Sequence, residues 1–290
     1  MRSLLNNIHY IILYTTAYII SLLPMRLLYF CSGIAFYIVY YLVPYRRDVV
    51  IQNLSRSFPD MRYGDIKAVS KAFYRSFTNN FVEIIKSLSI STEKQQRKLI
   101  LSNFEVVDEQ LSKGKSVIAC TGHGGNWEIF NIMPSMVKHV DSYAVYKPLR
   151  TAAVDKLFIK LRSRFGMKLV PSRMVARQFL SNKDKPSMYL FLADQCPKHA
   201  DDKYETLFLH QKTHMFPGVE KLARSTNSAV VYVGVTEPSR GHYIAEFELI
   251  CSDGAETQEM EITRRYAQLL EQTIEKAPAS WLWTHKRWKR

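Results

Sequence analysis

The chain has only four cysteines, Cys31, Cys120, Cys196 and Cys251, too far apart to form a CxxC pair. Their scarcity argues against a zinc site or a disulfide framework and suits a reducing compartment. Acidic residues are also short: 26 Asp and Glu stand against 40 Lys and Arg, a formal charge of +14 over 290 residues. Such an imbalance implies an anionic partner, whether nucleic acid, an acidic membrane surface or a phosphorylated substrate. RNP-type aromatic motifs and zinc fingers are missing, which removes nucleic acid from that list. Internal repeats and low-complexity linkers are absent as well, so one catalytic domain is expected.

Charge itself is missing from one long stretch. Between His9 and Tyr45 the only charged residue is Arg26, which parts the apolar runs "YIILYTTAYIISLLP" and "LLYFCSGIAFYIVYYLVP". No small-residue cleavage site follows, which excludes a cleaved signal peptide. The two runs predict a membrane anchor over residues 1–45, either a hairpin or one span plus an interfacial helix. The many tyrosines suit the headgroup boundary, and Arg46 and Arg47 form a cytoplasmic flank facing anionic lipid. Residues 46–290 are the expected catalytic domain.

Within that domain "NLSRSFPDM" reads as a turn. Phe73, Phe77, Phe81, Ile84 and Leu88 mark one face of a long helix over 62–90. From about residue 103 short β-branched runs ("FEVV", "SVIAC", "YAVY", "KLVP", "MYLFLA", "AVVYVGV") alternate with amphipathic segments. The alternation predicts an α/β fold with a mixed, mostly parallel sheet flanked by helices. "VVYVGVTEPSRGHYIAEFELI" reads as a strand pair near an edge, and a last amphipathic helix ends at a proline.

The stretch richest in chemistry is "CTGHGGNWEIF", residues 120–130. It reads as strand end, glycine loop and helix start, and ligands of open α/β sheets gather beyond the carboxyl ends of strands. Gly122, Gly124 and Gly125 free the backbone and let a substrate approach closely. Asn126 is the expected helix N-cap, and Trp127 packs under the site. Glu128, in the first helical turn, is expected to reach back to one nitrogen of His123 and leave the other facing the cleft. An imidazole so oriented is a general base for a hydroxyl. Further along, Lys147 and Arg150 follow a strand and suit a phosphate clamp. Asp194 and Gln195 end another strand and should open into the same cleft. Cys196 beside them has no obvious activating base. Arg162 and Arg164 read as a solvated or lipid-facing surface, with a basic rim of the site as the alternative. His210 and His214 have no third ligand in view, so no metal site is expected. The tail "WLWTHKRWKR", His285 included, reads as a membrane-surface segment.

"TGHGGNWE" closely resembles the His-x4-Asp/Glu motif of lysophospholipid-type acyltransferases, in particular the late (lauroyl/myristoyl) acyltransferases of lipid A biosynthesis. "YRRDVVIQNLSRSFPD", "VYKPL", "LADQCP", "FPGVEKLARSTNSAVVYVGV" and "WLWTHKRWK" agree in order along the chain. The resemblance implies an O-acyltransferase of glycerolipid-acyltransferase-like fold on a bacterial inner membrane, with its catalytic domain in the cytoplasm and no cofactor. His123 would deprotonate a hydroxyl of a glycolipid acceptor, Glu128 would stabilise the imidazolium, and glycine-loop amides would bind the oxyanion. The donor would be a thioester of acyl carrier protein or coenzyme A. No acyl-enzyme is needed, in keeping with the absence of GxSxG. Phosphatidylinositol mannosides, aminolipids and lysophospholipids remain alternative acceptors. A thioesterase and a non-catalytic lipid-binding protein are the readings from other classes.

Overall fold

The run Val117–Thr121 is buried at all five positions, as befits a strand covered on both faces. In the computed structural model, which describes residues 2–182, 184–197 and 201–288, it is the middle strand of a seven-stranded sheet. The chain opens with α1 (Arg2–Leu22) and α2 (Met25–Tyr37), the latter running on as a π-helical turn over Ile38–Leu42. Then come α3 (Arg47–Ser57), α4 (Tyr63–Lys86) and the short α5 (Thr92–Gln96). The sheet region starts with β1 (Leu99–Ser102), α6 (Glu105–Ser112) and β2 (Val117–Thr121). A 3-10 helix over Trp127–Ile132 leads into α7 (Met133–Met136) and β3 (Ser142–Tyr146). Next are α8 (Ala152–Ser163), β4 (Lys168–Pro171), α9 (Val175–Ser181) and β5 (Met188–Leu192). A small hairpin, β6 (Glu205–Phe208) and β7 (Gln211–His214), precedes α10 (Gly218–Thr226). The long hairpin β8 (Ala229–Ser239) and β9 (His242–Cys251) and the helix α11 (Glu261–Lys276) complete the fold.

The sheet order is β1-β9-β8-β2-β5-β3-β4. β8, β2, β5, β3 and β4 run parallel, while β9 is reversed against β8 and carries β1 parallel to itself. The expected mixed, mostly parallel sheet is therefore present. Side chains alternate between two cores, as the period of a strand requires. Ile118, Cys120, Tyr189, Phe191, Val230 and Tyr232 join one face, with α10, α11 and the tail tryptophans Trp281 and Trp283. Val117, Ala119, Met188, Leu190, Val231 and Val233 join the other, against Val107 of α6 and Ile129–Met133.

Two segments differ from expectation. "FEVV" is not a strand: Phe104 is the N-cap of α6, and Glu105 and Asp108 sit in its first turn, where the helix dipole favours acids. "NLSRS" continues α3 through Ser57, so the expected turn shrinks to the residues after it.

The first two helices lie against the domain. Ala17 of α1 packs with Leu157 and Leu161 of α8, and Leu28, Phe36 and Tyr40 are buried. Their outer side exposes Ile11, Ile12, Ile19, Phe30, Tyr37 and Leu42. Among the described residues one helical stretch, Met25–Leu42, is long and apolar enough to cross a membrane, and 22% of it is buried.

On α4, Phe73 is buried and Phe81 is 52% exposed, because the inward face also carries the buried Asn80 and Glu83. α11 is held by another buried acid. The fully buried Glu220 of α10 accepts the N–H groups of Met260 (2.7 Å) and Thr263 (2.9 Å) at the start of α11. Removing it orphans both donors. Glu220→Ala is expected to cost about 3 kcal/mol, read as a lowered midpoint of thermal unfolding. A change within about 0.5 kcal/mol, the range of an indifferent surface substitution, would show that the carboxylate does not hold α11.

Candidate active site

Adjacent parallel strands bring the chemistry together. Thr121 of β2 is in register with Leu192 of β5, so His123 and Asp194, two residues beyond each, leave the sheet side by side. The Nδ1 of His123 lies 2.6 Å from Asp194 Oδ1, and the His123 backbone N–H donates to Asp194 Oδ2 at 2.9 Å. Trp281 Nε1–H donates to the same Oδ2 at 2.8 Å. Asp194 is 2% exposed. Burial alone would raise its pKa, but the facing imidazole and the hydrogen bonds from His123 and Trp281 outweigh that and bring it down to about 2. A carboxylate at neutral pH can only accept, so the Nδ1 carries a proton and the Nε2 lone pair faces outward. Gln195 Nε2 stands 3.4 Å from that nitrogen, and the edge of His123 meets the Trp127 ring at a centroid distance of 4.9 Å.

The glycines are needed at two positions. A Cβ on Gly122 would come within 2.7 Å of Leu270 and 3.4 Å of Asp194, and Gly125 holds φ +54°. The loop is clamped from outside the sheet. Gly125 N–H donates to Ser280 O (2.9 Å) and Leu282 N–H to His123 O (3.1 Å), while Asn80 Nδ2 donates to Gly125 O at 2.8 Å. The amides of His123 and Gly125 are thereby committed within the fold, so the expectation that glycine-loop amides serve the oxyanion does not hold for these two.

Glu128 does not orient His123, contrary to expectation. Its carboxylate is taken by Arg162 of α8 in a bidentate pair, Nε to Oε2 at 2.8 Å and Nη2 to Oε1 at 2.5 Å. The segment after Asn126 is a 3-10 helix, whose three residues per turn send Glu128 toward α8. Arg162 is thus a partly buried, paired cation. Burial opposes its charge, but the Glu128 hydrogen bonds and charge prevail and raise its pKa. Asn126 occupies the N-cap position with no side-chain cap; its Nδ2 donates instead to the buried Glu83 at 3.1 Å.

The tail also departs from expectation. Trp281 and Trp283 are buried, and Arg287, 1% exposed, donates to Asp194 O at 2.7 Å. These residues form the back wall of the site, while Lys286 is exposed; Lys289 and Arg290 lie outside the described residues. Arg164 donates to the carbonyls of Ser87 and Ile90. His214 of β7 faces Asp202, just before β6, at 3.2 Å.

A cavity of about 450 Å³ opens beside His123. Phe130, Ala144, Met167, Leu190 and Leu192 give it apolar walls, and Glu128, Lys147, Arg150, Arg162 and Gln195 also line it. Lys147 and Arg150 follow β3 and are exposed, so they stand at its mouth.

A model of the bacterial lipid A biosynthesis acyltransferases matches residues 2–290. The chain belongs to that family. It is also 25% identical over 151 residues to a lipid A biosynthesis acyltransferase of Haemophilus influenzae, a match covering 51% of this chain and 46% of that protein. The aligned region thus spans about half the length of the curated relative.

On this member of the lipid A acyltransferase family, His123, Glu128, Lys147, Arg150 and Gln195 meet at one cavity, with Asp194 behind the histidine. Gly124, Gly125 and Asn126 do not line it. Gly124 pairs with Trp281 in an isolated antiparallel bridge, and Gly125 and Asn126 tie the loop to α4. Reading the sequence missed Trp281 and Arg287, and it preferred a solvated surface for Arg162 over the basic rim that the cavity shows. The tail motif "WLWTHKRWK" was the available signal, with its tryptophans and arginine read as surface rather than as donors for a buried acid.

Three substitutions separate the possible partners of His123. Asp194→Asn is expected to reduce turnover about 10²- to 10⁴-fold, since an amide can leave the imidazole in the wrong tautomer. Combined with Asp194→Asn, Glu128→Gln should add its own effect, whereas Glu128→Gln with Arg162→Lys should be non-additive. A double-mutant cycle with the reverse pattern would return Glu128 to the histidine.

Proposed function

We propose that the protein is a membrane-associated O-acyltransferase that moves a fatty acyl chain from a thioester of acyl carrier protein or coenzyme A to a hydroxyl of a lipid A precursor. The observation that carries this reading is the Asp194–His123 pair, whose Nε2, turned from Asp194, meets a cavity with apolar walls and a cationic mouth. The apolar walls suit an acyl chain; Lys147 and Arg150 suit the phosphate of a phosphopantetheine arm. His123 Nε2 takes the proton as the acceptor oxygen attacks the thioester carbonyl carbon. The new C–O bond forms, the C–S bond breaks, and the imidazolium returns its proton to the departing thiolate. Asp194 holds the tautomer and stabilises the transient cation. Glu128 serves by fixing the Arg162 guanidinium in the wall of the same cavity, where a cation can stabilise the tetrahedral oxyanion.

Family membership supports the lipid A class of acceptor. The apolar stretch Met25–Leu42 and the exposed apolar side of α1 support residence in a bacterial inner membrane. The formal charge of +14 supports attraction to anionic lipid and to an acidic carrier protein. A soluble thioester donor supports a catalytic domain on the cytoplasmic face.

The test is transfer of a radiolabelled acyl group from acyl carrier protein to a tetra-acylated, Kdo-bearing lipid A precursor in detergent. Wild type should transfer the label, and His123→Ala should lose at least about 10²-fold. Label released to water regardless of acceptor would make the protein a thioesterase. Folded protein without turnover on any donor and acceptor pair would make it a lipid-binding protein.

A further inference from the structure

A second cavity of about 370 Å³ adjoins the first and shares Trp127, Glu128 and Gln195 with it. His123 lines the first cavity, and its ring contacts Trp127 and Gln195, two of the shared residues. The remaining walls differ in kind from the first cavity. Phe77, Phe81 and Ile84 of α4 and Phe158 of α8 line one side, and Arg46, Thr284 and His285 line the other.

We propose that this second cavity is the acceptor subsite, taking a phosphorylated lipid whose phosphate lies on Arg46 and whose acyl chains run along Phe77, Phe81 and Ile84. The inference rests on the acyltransferase reading and adds which of the two substrates enters from which side. Three observations carry it. Arg46 is exposed and follows Leu42, the end of the apolar stretch, by four residues, which sets it at headgroup height if that stretch is in lipid. It spends one N–H on Thr284 O at 3.0 Å and forms no ion pair with a carboxylate among the described residues, so most of its five donors are open to phosphate. Phe81, 52% exposed, is a large apolar ring left uncovered at the cavity, where a lipid chain would bury it. His285 adds a polar group that burial and the charges of Arg287 and Arg46 hold below its ordinary pKa despite Asp194. It is thus a neutral hydrogen-bonding partner for a sugar hydroxyl. The thioester donor then arrives from the solvent side past Lys147 and Arg150, and the acceptor from the membrane side. The two reacting groups converge at His123 without either substrate crossing the other.

The experiment has a kinetic arm and a labelling arm, both on full-length protein in detergent. Arg46→Gln should raise the KM for the phosphorylated acceptor about tenfold or more while leaving the donor KM within about twofold. Phe81→Ser, at an exposed position where folding is safe, should also raise the acceptor KM alone. Arg150→Gln should do the converse and raise the donor KM. A shift of donor KM in Arg46→Gln, or an unchanged acceptor KM in both Arg46→Gln and Phe81→Ser, overturns the assignment. The labelling arm needs no turnover: a phosphorylated lipid with a diazirine in its acyl chain is irradiated on the protein and the adducts are mapped by mass spectrometry. Adducts between residues 77 and 84 support the subsite. Adducts on the Phe130 and Met167 walls, or none on either cavity, overturn it. Labelling at 77–84 with no transfer in the kinetic arm would keep the lipid site and discard the acyltransferase reading.

Discussion

A single buried carboxylate organises this site. Asp194 is nearly inaccessible to water, yet it keeps its charge, which is tolerable only because the fold gathers donors around it. One comes from the histidine ring, one from the backbone of the same histidine, and one from a tryptophan 87 residues further along. Arg287, itself buried, secures the carbonyl of the same residue. The donors come from the β2 loop and the C-terminal segment and meet a carboxylate at the end of β5, so satisfying one charge fixes all three at once. The contacts that orient the histidine and those that solvate the carboxylate are the same set.

A second buried acid extends this order toward the membrane side. Glu83 of α4 accepts from Tyr29 of α2 (2.9 Å), Tyr243 of β9 (2.7 Å) and Asn126 of the histidine loop (3.1 Å). The helix that carries the apolar stretch is therefore joined through one side chain to the loop that carries His123. Burial and the neighbouring carboxylate push the Tyr243 phenol far above its ordinary pKa, so it stays a donor at any working pH. The N-terminal apolar helix and the histidine site are thus parts of one packed body.

The sheet, its mostly parallel sense and the place of His123 were all legible, because buried β-branched runs and a glycine loop at a strand end are local patterns. The partner of His123 was not. A carboxylate five residues away is the obvious candidate when only spacing is visible, but a 3-10 turn after Asn126 directs Glu128 to Arg162. The residue that does the orienting is 71 positions away and declares itself only through strand register. The tail misled for a related reason. Aromatic and basic residues mixed together describe a membrane-surface segment as well as they describe donors packed behind a buried acid. Composition alone could not say that Trp281 and Arg287 had a carboxylate and its carbonyl to satisfy. Phe81 belonged to the periodic face of α4 by spacing, yet it borders a cavity while Asn80 and Glu83 turn inward to the loop.

The most direct test of the account is the protonation state of the His123 ring, read by nitrogen-15 NMR on histidine-labelled protein in detergent near neutral pH, with His123→Gln used to assign the signal. The account predicts a neutral ring protonated on Nδ1, with a strongly deshielded Nδ1 proton that disappears in Asp194→Asn and persists in Glu128→Gln. A ring protonated on Nε2, or an Nδ1 proton that vanishes with Glu128→Gln and survives Asp194→Asn, would contradict it.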